Sequence, residues 1–263
     1  MKKFKLSAKN MALTVTILLF LVILACATTP ITGRSQILII PESQETALGI
    51  KSYNQILEKE KLSQDPKLID MVSRVGRRIA EVAERPDYEW EFKVIDDAKT
   101  ANAFALPGGK VAVYTGLFKY TKDETGLAFV IAHEVGHAIA RHGGERMSQN
   151  LLLQLGQQGL NMALGSQSQV AIEAINQAYG VAAGVGVMLP FSRAQEYEAD
   201  YIGLIFMARA GYDPREAPEF FQRMLEGKKK KNPPTFLSTH PADEDRIERL
   251  RELIPEALEY YRQ

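Results

Sequence analysis

The sequence predicts an α+β domain, mostly helical, with one small and mostly antiparallel sheet. Two helix-period segments open the folded part, alternating and hairpin-like stretches follow, and helical patterns then run to the C-terminus. The chain has 263 residues, 46% hydrophobic and 24% charged, enough for one full core. Lys plus Arg and Asp plus Glu are balanced at 32 each, without the basic footprint of a nucleic-acid binder. Neither an internal repeat nor a second domain is visible.

Residues 1–25 stand apart. Lys2, Lys3, Lys5 and Lys9 form a basic start without acids, and Met11 to Leu24 form an apolar run. That run falls short of the roughly 20 residues of a membrane span and fits the core of a secretory signal. It ends in Ile23-Leu24-Ala25-Cys26, which resembles the bacterial lipobox, where the cysteine is lipidated and becomes the new N-terminus. Cys26 is the only cysteine, so an intramolecular disulfide is excluded. The expectation is a signal peptide over 1–25 and a lipid anchor at Cys26, with the rest of the chain facing the periplasm. Ala27, rather than aspartate, after the cysteine favours the outer membrane by similarity to lipoprotein sorting signals.

Residues 26–41 read as a tether, in which 37–40 could pair as a short strand, and the folded domain is expected over 42–263. Helices are expected over 43–61 and 66–84; the second carries a stripe of Leu68, Met71, Val72, Val75, Ile79 and Val82. Tyr88, Trp90, Phe92 and Val94 alternate with Glu89, Glu91 and Lys93, a half-buried strand. Asn102 to Leu106 and Val111 to Tyr114 flank Pro107-Gly108-Gly109-Lys110, a hairpin pattern. Thr121 with Glu124 matches a capping box that opens the next helix, and Gly143 supplies its stop. Residues 144–190, rich in Gln, Gly, Ala and Leu, read as a helical hairpin near the cleft. Ser192 with Gln195 caps a helix that Gly211 ends. Asp213-Pro214 starts another over 214–226, Lys228 to Lys231 read as a solvated loop, and a last helix passes through Arg246, Ile247, Leu250 and Leu253.

The helix before Gly143 carries His133-Glu134-Val135-Gly136-His137. Two imidazoles four residues apart project from one helical face and can share one Zn²⁺, with the carboxylate of Glu134 beside them as general base. A catalytic site needs a third protein ligand. Glu196 supplies it from the helix after Ser192, and Asp200, one turn on, can accept the free N–H of a liganding histidine. Glu198 points some 200° away around that helix and is a poor ligand candidate. The long metzincin motif is excluded, because Ala140 and Gly143 stand where it needs glycine and histidine. His142 reads as a helix-end residue whose positive charge would favour the C-terminal dipole.

These pieces together resemble the HtpX and CAAX-prenyl-protease group of zinc metallopeptidases, metallopeptidase family forty-eight. The matching residues are Asn102-Ala103-Phe104-Ala105, Gly108-Gly109-Lys110-Val111, the HExxH at 133–137, Ser192-Arg193 with Glu196 and Ala199-Asp200, and Thr239-His240-Pro241 with Arg246. The resemblance implies a zincin-like, thermolysin-like endopeptidase domain holding one Zn²⁺ through His133, His137 and Glu196. It further implies Glu134 as base, Asp200 as support for a ligand, and Asn102 to Ala105 as an edge strand for polypeptide substrates. His240 and Arg246 are implied at the active site, to stabilise the oxyanion or to occlude the metal. Lipid-anchored members act in envelope protein quality control; a zinc-stabilised, chaperone-like module with latent proteolysis is the alternative.

Overall fold

The computed structural model describes residues 26–164, 191–228 and 234–261. The signal segment 1–25, the part of the expected helical hairpin beyond residue 164, and Lys229 to Lys231 lie outside the described residues.

Segment 26–41, expected as a tether, carries a short hairpin. Strands β1 (Cys26–Thr28) and β2 (Ser35–Ile37) pair antiparallel, and Arg34 between them ties the hairpin to Glu145 and Glu198. Ile39 N donates to Ser148 Oγ at 2.9 Å. Polar anchoring, for which the sequence gives no periodic signal, holds this stretch against the domain.

Helices α1 (Glu42–Leu57) and α2 (Pro66–Val82) follow, each shorter at its C-terminus than the pattern suggested. Asp65 caps α2 by accepting from Lys67 N, and Pro66 sits at the first helical position, where its missing N–H costs nothing. Strands β3 (Glu91–Ile95), β4 (Ala103–Leu106) and β5 (Lys110–Tyr114) form one sheet in the order β3-β5-β4. The β4–β5 hairpin turns through Gly108 and Gly109, both at positive φ. β5 inserts between its partners and runs parallel to β3, so this sheet is mixed. The order follows from burial: Lys110 to Val113 are all buried, as a central strand requires, and β4 is left at the edge.

After the short helix α3 (Phe118–Thr121) comes α4 (Glu124–Ile139), the centre of the molecule. Its cap is Asp123, which accepts from Thr125 N and Gly126 N; Thr121 belongs to the preceding turn, which displaces the expected capping box. α4 ends before Gly143. Arg141 takes φ 58°, an uncommon conformation for a non-glycine residue, and Glu45 holds its guanidinium at 2.7 and 2.9 Å. His142 therefore opens α5 (His142–Leu164) and is buried, so the expectation of a cation at a helix C-terminus is corrected.

Helix α6 (Arg193–Arg209) begins with the expected capping box of Ser192 and Gln195. It packs along α4 at very short range. A Cβ on Gly203 would lie 3.0 Å from the N and Cα of His133, and one on Gly136 would lie 3.1 Å from Ala199 O. Both glycines allow the backbones to approach this closely. Helices α7 (Glu216–Lys228), α8 (Phe236–Thr239) and α9 (Glu244–Tyr261) close the apolar core around Phe129, Phe220, Phe221 and Phe236. Among the described residues, no helix is long and apolar enough to cross a membrane.

Candidate active site

His133 and His137 leave α4 on one face, one turn apart, and α6 delivers Glu196 opposite them. His240, which terminates α8, enters from a third side. One ligand-type atom from each of the four lies within 4.8 Å of the others, and all four residues are buried. His133 Nε2 and His137 Nε2 are 3.1 Å apart, and Glu196 Oε1 is 3.4 Å from His137 Nε2. His240 Nδ1 is 3.0 Å from Glu196 Oε1 and 3.2 Å from His133 Nε2.

The outer ring nitrogens of both histidines face a polar neighbour. His133 Nδ1 lies 3.0 Å from Asp200 Oδ1, and His137 Nδ1 lies 2.8 Å from His142 Nδ1. Burial holds the His137 imidazole well below its usual pKa and so neutral. Burial pushes the Asp200 carboxyl up, but the Arg246 guanidinium and the His133 contact outweigh it and leave the carboxyl lowered. Glu196 is likewise lowered against its own burial, by Arg246 and His240. Two imidazole nitrogens and an ionised carboxylate thus converge on one point in a buried group of ligand-type atoms. The donor set suits zinc.

Glu134 stands beside this group at the wall of a cleft. Burial pushes its carboxyl up, with the charges of His240 and His133 opposing, and Ala105 contributes a backbone hydrogen bond. His240 Nε2 lies 3.2 Å from Glu134 Oε1. The cleft has a volume of about 290 Å³, and its walls include Asn102, the edge strand β4, Leu48, Met147 and Phe191. Phe191 stacks on His137 with ring centroids 4.0 Å apart. Asn102 to Ala105, Glu134, His137 and His240 are therefore brought to one cavity.

Arg246 is not. It is 2% exposed and grips Asp200 from Nε and Nη2 at 2.6 and 2.8 Å, while Nη1 lies 2.5 Å from Glu196 Oε2 and 2.9 Å from Pro241 O. Its guanidinium serves the acids behind the cluster, Asp200 and Glu196. Glu198 is outside the cluster as expected, but it is tied to His142, a contact missed from sequence. The available signal was a third histidine five residues after His137 and an acid two residues after Glu196.

A metal-binding group beside a carboxylate in a substrate-sized cleft defines a metallopeptidase site. Peptidase family M48 matches residues 66–254, and the chain belongs to that family. It is 40% identical over 188 residues to the mitochondrial metalloendopeptidase OMA1 of Schizosaccharomyces pombe, covering 71% of this chain and 53% of that protein. The OMA1 of Saccharomyces cerevisiae is 31% identical over 252 residues, 89% of this chain and 70% of the relative. The beta-barrel assembly-enhancing protease of Escherichia coli is 30% identical over 226 residues, 84% of this chain and 46% of the relative. The chain thus spans about half the length of the first and last of these. Peptidases of this family use zinc, and the buried group of His133, His137, Glu196 and His240 is where it fits.

Proposed function

We propose that this chain is a zinc-dependent endopeptidase that hydrolyses misfolded or unassembled proteins of a bacterial envelope, anchored through lipidated Cys26. The observation that carries the peptidase reading is Glu134 at the cleft wall, beside His133, His137 and Glu196 and facing edge strand β4. His133, His137 and Glu196 would hold the metal. When bound, zinc supplies Lewis acidity for the scissile carbonyl and its attacking water. Glu134 takes the proton of that water and later passes it to the leaving amine. Asp200 fixes His133, and Arg246 fixes Asp200 and Glu196. β4, at the sheet edge, offers backbone groups to an extended polypeptide, which favours unfolded segments over folded ones.

The envelope setting is supported by the basic start, apolar run and lone Cys26, and by the likeness to a protease named for β-barrel assembly. One observation favours the second reading, a chaperone-like module with latent proteolysis. His240 Nδ1 already lies among the metal-facing atoms, where a fourth protein ligand would close the open position. The deciding experiment is digestion of casein and of an unfolded outer-membrane protein, with and without a chelator. Chelator-sensitive cleavage supports the peptidase; binding without cleavage by zinc-loaded protein supports the module.

A further inference from the structure

Behind His137 runs a line of contacts that ends in the N-terminal hairpin. His137 Nδ1 is 2.8 Å from His142 Nδ1, and His142 Nε2 is 3.0 Å from Glu198 Oε2. Glu198 accepts from Thr32 Oγ1 and Arg34 Nε, and Arg34 also grips Glu145 at 2.7 and 3.0 Å. His142 and Glu198 are 0% and 6% exposed.

The proton positions along this line follow from which groups can donate. An ionised carboxylate only accepts, so His142 donates Nε2–H to Glu198. A neutral imidazole protonated at Nε2 carries its lone pair on Nδ1, so the 2.8 Å contact needs Nδ1–H on His137. His137 then presents its own lone pair at Nε2, the atom that faces His133 and Glu196. The guanidinium of Arg34, paired with Glu198 and Glu145, supplies the positive charge that keeps Glu198 an acceptor. Each histidine of the HExxH thus has its own line of support. His133 leads to Asp200 and Arg246, and His137 leads to His142, Glu198 and Arg34.

We propose that His142 is a positioning residue that fixes the Nδ1–H tautomer of His137, with Glu198 setting His142 and the hairpin residues Arg34 and Thr32 anchoring Glu198. The hairpin next to Cys26 is then part of the support of the metal site. This inference rests on the zinc-peptidase reading above.

The test uses the full chain in detergent, loaded with zinc. Nitrogen-15 spectra of the histidine rings should show His142 protonated at Nε2 alone and His137 at Nδ1; a proton on His142 Nδ1 overturns the proposal. Transfer of zinc to a chelator gives the second readout. His142→Leu should release zinc about 10–100-fold faster, whereas the similarly shaped His142→Asn, which keeps an acceptor near the Nδ1 position, should recover most of the difference. Equal rates for Leu and Asn would mean that His142 only fills space. Arg34→Ala, on a partly exposed residue, should speed release by on the order of tenfold; a wild-type rate removes the hairpin from the support. A wild-type chain that binds no zinc contradicts the peptidase reading itself, an outcome distinct from a wrong tautomer.

Discussion

Arg246 holds Asp200 with two parallel hydrogen bonds, Nε to Oδ2 at 2.6 Å and Nη2 to Oδ1 at 2.8 Å, inside a fully buried pocket. The same guanidinium reaches Glu196, so one side chain from the last helix sets both acids that α6 presents to α4. Removing it leaves two buried carboxylates without their cation, a change of about 3–5 kcal/mol for a broken buried pair. Arg246→Ala should unfold at lower denaturant and lose zinc. Arg246→Lys, lacking the planar fork, should recover little of either. Normal zinc content and stability in Arg246→Ala would contradict this role.

Glu134→Gln keeps the shape of the site and removes the base. Turnover of an unfolded protein should fall by at least about 10²-fold while zinc content stays at the wild-type level. A zinc-loaded Gln variant with normal turnover would sink the mechanism.

A methyl group on Gly203 would meet the backbone of His133 at 3.0 Å. Neither helix backbone yields easily, so Gly203→Ala should force α6 away from α4 and cost about 1–3 kcal/mol. The melting temperature and the zinc affinity should fall together, because the displaced helix carries Glu196. A variant that keeps its wild-type melting temperature, or one that keeps its full zinc affinity, would contradict this reading of the contact.

His240 contacts both Glu134 and the metal-facing atoms, and we expect it to gate the site. On that basis His240→Ala should gain activity on unfolded substrates. Loss of activity with zinc retained would instead assign the imidazole to stabilising the transition state.

Cys26→Ser should abolish incorporation of labelled fatty acid and block maturation at residue 25. Labelling that survives the substitution rules out the lipobox.

Much of the site was legible because it obeys local periods. His133 and His137 sit one helical turn apart, and so do Glu196 and Asp200, so the faces on which they lie followed from 3.6 residues per turn. The capping box at Ser192 and Gln195 formed as its spacing indicated. The failures came where a local signal competed with a neighbour. Asp123 displaced the Thr121 cap, and Arg141 took the left-handed turn that Gly143 was expected to supply. In the latter case Glu45, nearly a hundred residues away, holds the arginine in place.

The sequence by itself determined the chemistry offered: two imidazoles on one helix, a base between them, a carboxylate pair on a second helix, and a hairpin with glycines at its turn. Only the tertiary structure decided how those offers combine. The parallel pairing of β5 with β3, the turning of Arg246 toward the acids rather than the cleft, and the linking of His142 through Glu198 to Arg34 all join residues of different elements. Such contacts depend on which buried charge finds a partner, and that is settled by packing between elements rather than by the period within any one of them.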